Sequence, residues 1–393
     1  MKELGVGLVA MGWMGRLHTR GYKALNERYP EVGVRARLVV AADSSEQGRT
    51  DAVERFGYER AVADYREVMD DPDVDVVSIC TPNFLHHEIA MAAIAAGKPF
   101  WIEKPMGVNA AQSREIAQAA EAAGLVTAVG FNYRHQPAIQ HARELISSGR
   151  LGRITNARVW FVADYASSPD GALTWRYSRS QAGAGVVGDL MSHGIDLANY
   201  LVGRVSEVTA MTSTFIADRP IPLEQGVGHA AVKLSDERGP VENEDYVAVL
   251  GRTYDGVVVT LESSRVSNGP RAEYVVEVYG TQGSLRWNYE TPMHLQVFLG
   301  DAAESGYATI MVDTRHGDFG RYQPGPGNSM SFDDLKAIEA KLFVSSVLTG
   351  EQLAPSAADA WAAAEADEAI VASASDGRWH SVPKVSGRTT FDA

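Results

Sequence analysis

A single cysteine, Cys80, stands in 393 residues. No intramolecular disulfide can form, so burial and hydrogen bonding must hold the fold, and a lone thiol fits a reducing compartment. Cations are scarce as well: 36 Lys and Arg face 50 Asp and Glu, a formal net charge of −14. That balance excludes the clustered cations with which a nucleic-acid binder grips phosphates. No uncharged apolar run approaches the roughly 18 residues of a membrane span. The opening "MKELGVGLVAMG" lacks an apolar core followed by a small-residue cleavage site, so no secretory leader is expected. These absences point to a cytoplasmic protein without nucleic-acid or membrane partners. Internal repeats and low-complexity tracts are missing too. What remains is 45% hydrophobic and 22% charged, the composition of a globular chain, at a length that suits two domains.

Two patterns divide the chain. In the first third, short apolar runs at 5–10, 37–43, 74–82, 99–105 and 127–132 alternate with helical stretches at 14–28, 46–56, 64–69, 85–96 and 110–123. Strand–helix alternation predicts a parallel sheet covered on both faces, and right-handed crossovers make it doubly wound. After residue 131 a helix near 137–148 leads into longer strands at 154–165, 205–216, 245–253, 256–266, 271–281, 283–290 and 294–300. Their period-2 character predicts an antiparallel sheet. A helix falls near 188–202, two more near 332–349 and 356–375, a polar loop at 301–328, and a polar tail at the end. The expected division is a dinucleotide-binding domain over 1–130 and a substrate-binding and oligomerisation domain over 131–393. A broad antiparallel sheet with one face free of helices predicts a homo-oligomer.

"AMGWMG" (10–15) lies where the first strand passes into a helix. A dinucleotide turn reads G-x-G-x-x-G there: one glycine eases the turn, the next lets backbone approach the pyrophosphate, the last lets helix pack on strand. Gly12 and Gly15 fill the last two places. Ala10 replaces the first, which is tolerable while its φ stays negative. At the end of the second strand Asp43 suits the adenosine ribose hydroxyls and repels a 2′-phosphate, which favours NAD; it serves equally as a helix cap. Ser44 and Ser45 leave room for NADP. "CTPN" (80–83) ends a further strand at the same sheet edge, as cofactor lining or as a plain turn.

"WIEKPMGVN" (101–109) puts Lys104 at the carboxyl edge of the sheet, where open α/β sheets bind ligands. There a lysine can hydrogen-bond a substrate hydroxyl, or simply be exposed. "GDLMSHGID" places Asp189 and His193 at i and i+4, on one face of a helix. The aspartate can orient the imidazole for proton transfer, or cap the helix while the histidine packs. His18, His86 and His87 lack a third ligand at suitable spacing, so no metal is expected.

With "FNYR" (131–134) and "AGAGVVGDLMSHGIDLANYLVG" (182–203), these motifs resemble the Gfo/Idh/MocA oxidoreductase family over nearly the whole chain, in order and at family spacing. The resemblance implies an N-terminal Rossmann domain followed by an α+β domain with a large, mostly antiparallel open sheet. It implies NAD held near Gly12, Trp13, Met14, Asp43, Ser44, Thr81, Asn83, His86, Glu103, Lys104, Asn132, Trp175 and Arg176. Lys104, Asp189 and His193 become the catalytic group, with Asp189 orienting His193. Tyr133, Tyr165 and Trp175 join them around the substrate, while Asn132 and Arg134 serve equally to fix the domain junction. Residues 164–189 look most like the members that oxidise levoglucosan, at C3, or inositols. The implied activity is oxidation of a secondary hydroxyl of a sugar, anhydrosugar or inositol to the ketone. Two alternatives stay open: glycoside 3-oxidation or redox-neutral glycoside cleavage, and a non-catalytic dinucleotide-binding regulator. The implied assembly is a homodimer or homotetramer.

Overall fold

Six short runs in the first third lie side by side in the computed structural model, which describes residues 2–223, 232–300 and 306–391. They are β1 (Lys2–Val9), β2 (Val34–Ala42), β3 (Arg60–Val62), β4 (Val76–Ile79), β5 (Phe100–Ile102) and β6 (Thr127–Val129). All pair in parallel, in the order β3-β2-β1-β4-β5-β6. Between them run α1 (Trp13–Arg28), α2 (Glu46–Thr50), α3 (Arg66–Met69), α4 (Asn83–Ala95) and α5 (Ala110–Ala122). Every residue of β4, β5 and β6 is buried, as in a sheet covered on both sides. The strand order reverses between β1 and β4, which opens a crevice at their carboxyl ends. The sequence reading has five strands here. It lacks β3, whose three residues are too few to show a period.

The second half continues with α6 (Pro137–Ser147), β7 (Ile154–Ala163), α7 (Arg179–Ala182), α8 (Ser192–Val202) and β8 (Val205–Ser213). Next come β9 (Asp218–Pro222), β10 (Leu234–Pro240), β11 (Tyr246–Thr253), β12 (Val258–Ser264) and β13 (Ala272–Gly280). The chain ends with β14 (Gly283–Asn288), β15 (His294–Leu299), β16 (Ala308–Met311), α9 (Phe319–Tyr322), α10 (Phe332–Thr349), α11 (Ala357–Asp376) and β17 (His380–Ser381). Nine of these strands form one sheet, ordered β16-β15-β14-β13-β7-β12-β11-β8-β17. Only β7 and β12 pair in parallel within it. Burial alternates along β11, β12 and β14, so one face packs on helices such as α8 and the other points outward.

Three expectations change. β9 and β10 pair as a separate two-stranded arm in a stretch without an expected strand. The expected loop at 301–328 holds β16 and α9; its residues 301–305 lie outside the described residues. The polar tail docks: Val382, Val385 and Phe391 are buried, and Thr390 hydrogen-bonds Asp359 through its N–H at 2.9 Å and its hydroxyl at 2.7 Å. Three apolar side chains among polar ones suffice to hold a tail on a helix surface.

α10 and α11 start and stop as their sequences dictate. Ser331 with Asp334, and Ser356 with Asp359, form reciprocal capping boxes. Gly350 and Gly377 end the helices in left-handed conformation. α10 lies on α1 and α11 on α5, so the end of the chain is stitched to the first sheet.

Candidate active site

The crevice edge carries the nucleotide features. Gly12 caps α1 without a side-chain hydrogen bond, and the first turn holds no acidic residue. The bare N–H groups and the positive end of the helix dipole face a ready anion site. A Cβ on Gly12 would meet nothing within 4 Å, whereas one on Gly15 would lie 2.0 Å from the Ala10 carbonyl oxygen. Gly12 thus keeps space open and Gly15 closes helix onto strand. Ala10 departs from expectation: its φ is +75°, not negative, because the turn keeps the left-handed geometry of the missing glycine.

At the end of β2, Asp43 accepts from Met11 N–H at 2.7 Å and from the N–H and hydroxyl of Ser45, both at 2.8 Å. It braces the glycine turn from a place suited to a ribose. Arg49 donates to the carbonyls of Asp43 and Ser44 at 2.9 and 3.0 Å beside it, a neighbour the sequence reading did not single out. Thr81 Oγ1 and Asn132 Nδ2 are buried without a hydrogen-bond partner among the described residues. Orphaned donors and acceptors at this edge fit a bound dinucleotide, since buried polar groups are otherwise paired. Trp13 is exposed and stacks on Phe332, centroids 5.7 Å apart, while Met14 is half-buried behind it. Asn83 opens α4 and donates to Ala182 O at 3.2 Å, fastening the edge to the glycine-rich lead-in before α8.

Two expected cofactor contacts turn inward instead. His86 is fully buried, its ring nitrogens 2.7 Å from Pro105 O and 2.8 Å from Thr81 O. The Glu103 carboxylate lies in the interior, 3.0 Å from His18 Nε2 and 2.6 Å from Lys336 Nζ. Its neighbours Lys336 and His18 hold it ionised despite burial, which by itself would raise it. These side chains brace the Glu-Lys-Pro turn, leaving only backbone to a ligand. Lys336 lies 233 residues from Glu103, so no local pattern announces the pair.

Lys104 leaves the end of β5 and reaches across to the start of the helix that carries Asp189. Its ammonium donates to Asp189 Oδ1 at 2.8 Å and to Asp189 O at 2.7 Å. The Tyr165 hydroxyl donates to Asp189 Oδ2 at 2.6 Å. Burial alone would raise the aspartate; Lys104 first, then Arg176, hold it well below the usual carboxylate range. Each carboxylate oxygen is therefore engaged, Oδ1 by Lys104 and Oδ2 by Tyr165, while the Asp189 charge acts on His193 through space and raises it. Val187–Met191, which carries Asp189, forms a π-turn ahead of α8 rather than the ordinary helix that the i, i+4 spacing assumes.

His193 is buried among rings: Tyr133 lies edge-on at 4.9 Å, with Phe131 and Phe161 at 6.0 and 6.2 Å. Its carbonyl accepts from the Tyr274 hydroxyl at 2.6 Å. Burial first, then the Lys104 charge, depress its imidazole well below 6.5, so it is neutral and able to take a proton. Trp175 packs edge-on to Phe84 at 6.4 Å and under the Arg176 guanidinium at 4.5 Å. Arg134 pairs instead with buried Asp196, away from the crevice. No group of three or more His, Cys, Asp or Glu suited to a metal occurs among the described residues.

The GFO/IDH/MocA C-terminal domain model matches residues 139–286, and the oxidoreductase family, NAD-binding Rossmann fold, matches residues 4–131. Levoglucosan dehydrogenase of Pseudarthrobacter phenanthrenivorans is 36% identical over 390 residues, covering 98% of this chain and 100% of its own. Inositol 2-dehydrogenase of Rhizobium meliloti is 25% identical, covering 96% and 98%. A solved levoglucosan dehydrogenase in complex with NADH and L-sorbose superimposes with a TM-score of 0.92 at 35% identity, over 98% of this chain and 100% of that one. The chain therefore belongs to the Gfo/Idh/MocA oxidoreductase family, as an NAD-dependent enzyme that acts on CH–OH groups.

Proposed function

We propose that this enzyme oxidises a secondary hydroxyl of a sugar, an anhydrosugar of levoglucosan type at C3, or an inositol to the ketone. The observation that carries the reading is the hydrogen-bonded run Lys104–Asp189–Tyr165 beside a neutral, buried His193. Bound NAD supplies the hydride acceptor. His193 takes the hydroxyl proton as general base. Lys104 donates to the same oxygen and stabilises the negative charge that develops there. Asp189 holds Lys104 and accepts from a neighbouring hydroxyl. Tyr133 and Trp175 offer ring surface to the apolar C–H faces of the substrate. Relatives that act on levoglucosan and inositol support this substrate class.

In the same proposal residues 1–130 hold the cofactor and residues 131–393 hold the substrate. The outward face of the nine-stranded sheet, with Met211, Leu250 and Val258 exposed, joins copies into a dimer or tetramer. The test is a screen for NADH formation over levoglucosan, inositols, glucosides and free hexoses, with analysis of the ketone. NADH with one sugar class and a ketone at one carbon is expected. Product without net NADH would replace this reading with redox-neutral cleavage. Lys104→Ala should lower turnover at least about 100-fold with NAD affinity kept, since it removes a charge used in the transition state.

A further inference from the structure

Residues 164–174 form neither helix nor strand, yet the segment they open carries Tyr165, Trp175 and Arg176. Such a segment does not hold side chains in place by its own ladder. We propose that Arg219, on the arm formed by β9 and β10, is the positioning residue that fixes this wall for the sugar. The inference rests on the reading of Asp189 and Tyr165 as part of the sugar site.

Arg219 is fully buried. Its Nη1 donates to Ser168 O at 2.7 Å and its Nη2 to Ala166 O at 2.6 Å. Both carbonyls belong to the wall, and Ala166 follows Tyr165 directly. A planar guanidinium spans two acceptors at a fixed separation, which a lysine ammonium does not. The guanidinium carbon also lies 4.3 Å from the ring centroid of Tyr177, the far end of the segment. Gly171 sits close enough that a Cβ would come within 2.9 Å of Arg219 Nη1. Leu173 N–H donates to Pro220 O at 2.8 Å, a second tie between wall and arm.

A second arginine completes the frame. Arg265 lies 4.7 Å from the Tyr177 centroid and is held by Asp245 at 2.8 Å and by Asn243 Oδ1 at 2.9 Å. The Asn243 amide donates in turn to Arg176 O at 2.9 Å. Burying a guanidinium is costly unless its donors are met. Arg219 spends both terminal amines on the backbone of one segment, while its Nε is buried without a hydrogen-bond partner among the described residues; so costly a burial is worth keeping only if that segment must stand still. A shift at Ala166 moves Tyr165, and with it the hydroxyl that holds Asp189 opposite Lys104.

The experiment compares Arg219→Lys and Arg219→Met with the unmodified enzyme. Three readouts are taken: hydrogen exchange of peptides over 164–178 and over α8, sugar KM with kcat, and NAD Kd by fluorescence titration. Faster exchange confined to 164–178 is expected, with sugar KM raised on the order of 10–100-fold, kcat changed less, and NAD Kd raised by a smaller factor than KM because Trp175 and Arg176 share the segment. Unchanged exchange in both variants overturns the proposal, and so does faster exchange with unchanged sugar KM. If Arg219→Met does not fold, Arg219→Lys, which fills most of the same space, decides alone. Failure of the unmodified enzyme to oxidise any sugar would sink the sugar reading, while the exchange data still judge the anchoring.

Discussion

Ala10 is the one residue other than glycine with positive φ among those described, at +75°. Its N–H donates to Ala42 O at 2.8 Å, and its carbonyl lies against Gly15, so the turn is pinned from both sides. An L-residue in this region costs roughly 1–2 kcal/mol, because its Cβ crowds the following carbonyl. Ala10→Gly should recover that strain, less the roughly 0.4–1 kcal/mol by which glycine loosens the unfolded chain. The expected net gain is between about 0 and 1.6 kcal/mol in urea unfolding without NAD. A loss of stability would show that the turn accepts alanine without strain. The motif was readable in the sequence because strand, Gly12 and Gly15 follow one another. The sign of φ at position 10 was not, since it depends on where β2 offers the Ala42 carbonyl.

Glu244 ties down the start of the π-turn at Val187–Met191 with two long-range hydrogen bonds: its Oε1 accepts from Val187 N–H at 3.0 Å, and its carbonyl from Val186 N–H at 3.0 Å. Glu244 is buried, and a Cβ on Gly185 would lie 2.2 Å from its carbonyl oxygen. The carboxylate thus caps the element that aims Asp189 at Lys104. Glu244→Leu should destabilise by about 1–3 kcal/mol, the cost of an orphaned buried N–H, and should lower kcat. Glu244→Gln keeps an acceptor and should keep most of both. Equal behaviour of the two variants in denaturant unfolding and turnover would remove the cap from the account. Elements with a full period or a capping signal, such as α5, β7 and α10, were legible within a few residues. β3, β9 and β10 were not, being short or lacking alternation, and the π-turn was read as ordinary helix because its extra residue leaves no local mark. Lys104, Asp189 and His193 are proposed from motifs, but no local pattern announces that Asp189 takes Lys104 and Tyr165 as its partners.

The molecule as a whole carries opposed buried titrations. His18, His86, His135 and His193 are buried and depressed below 6.5 chiefly by desolvation, His18 to about 4 and His135 to about 3. The unfolded chain protonates them near 6.5, so their stabilisation is full above that pH and is lost as pH falls through the folded values. Glu339, Asp196 and Asp367 act the other way. Burial raises Glu339 to about 8, Asp196 to about 6 and Asp367 well above 3.8. Their stabilisation is full below the unfolded values of 4.5 and 3.8 and is lost as pH rises through the folded ones. Between pH 4.5 and 6.5 the two sets oppose each other, and stability should be nearly flat. Below pH 4.5 the imidazoles still charge while Glu103, held ionised by Lys336 and His18, is forced toward its protonated form, so stability should fall steeply. From pH 6.5 to 8 Glu339 continues to lose, by up to about 2 kcal/mol at about 1.36 per unit. Three of these groups meet at one seam: Lys336 of α10 lies 2.6 Å from Glu103 at the end of β5 and 2.7 Å from Glu339, and His18 of α1 lies 3.0 Å from the same Glu103 oxygen. The melting temperature should therefore show an acid limb, a plateau and an alkaline decline. Glu339→Gln keeps an acceptor for Lys336 but cannot ionise, so it should flatten the alkaline limb and leave the acid limb in place. An alkaline decline that survives in that variant would assign it to another buried carboxyl, Asp367 first.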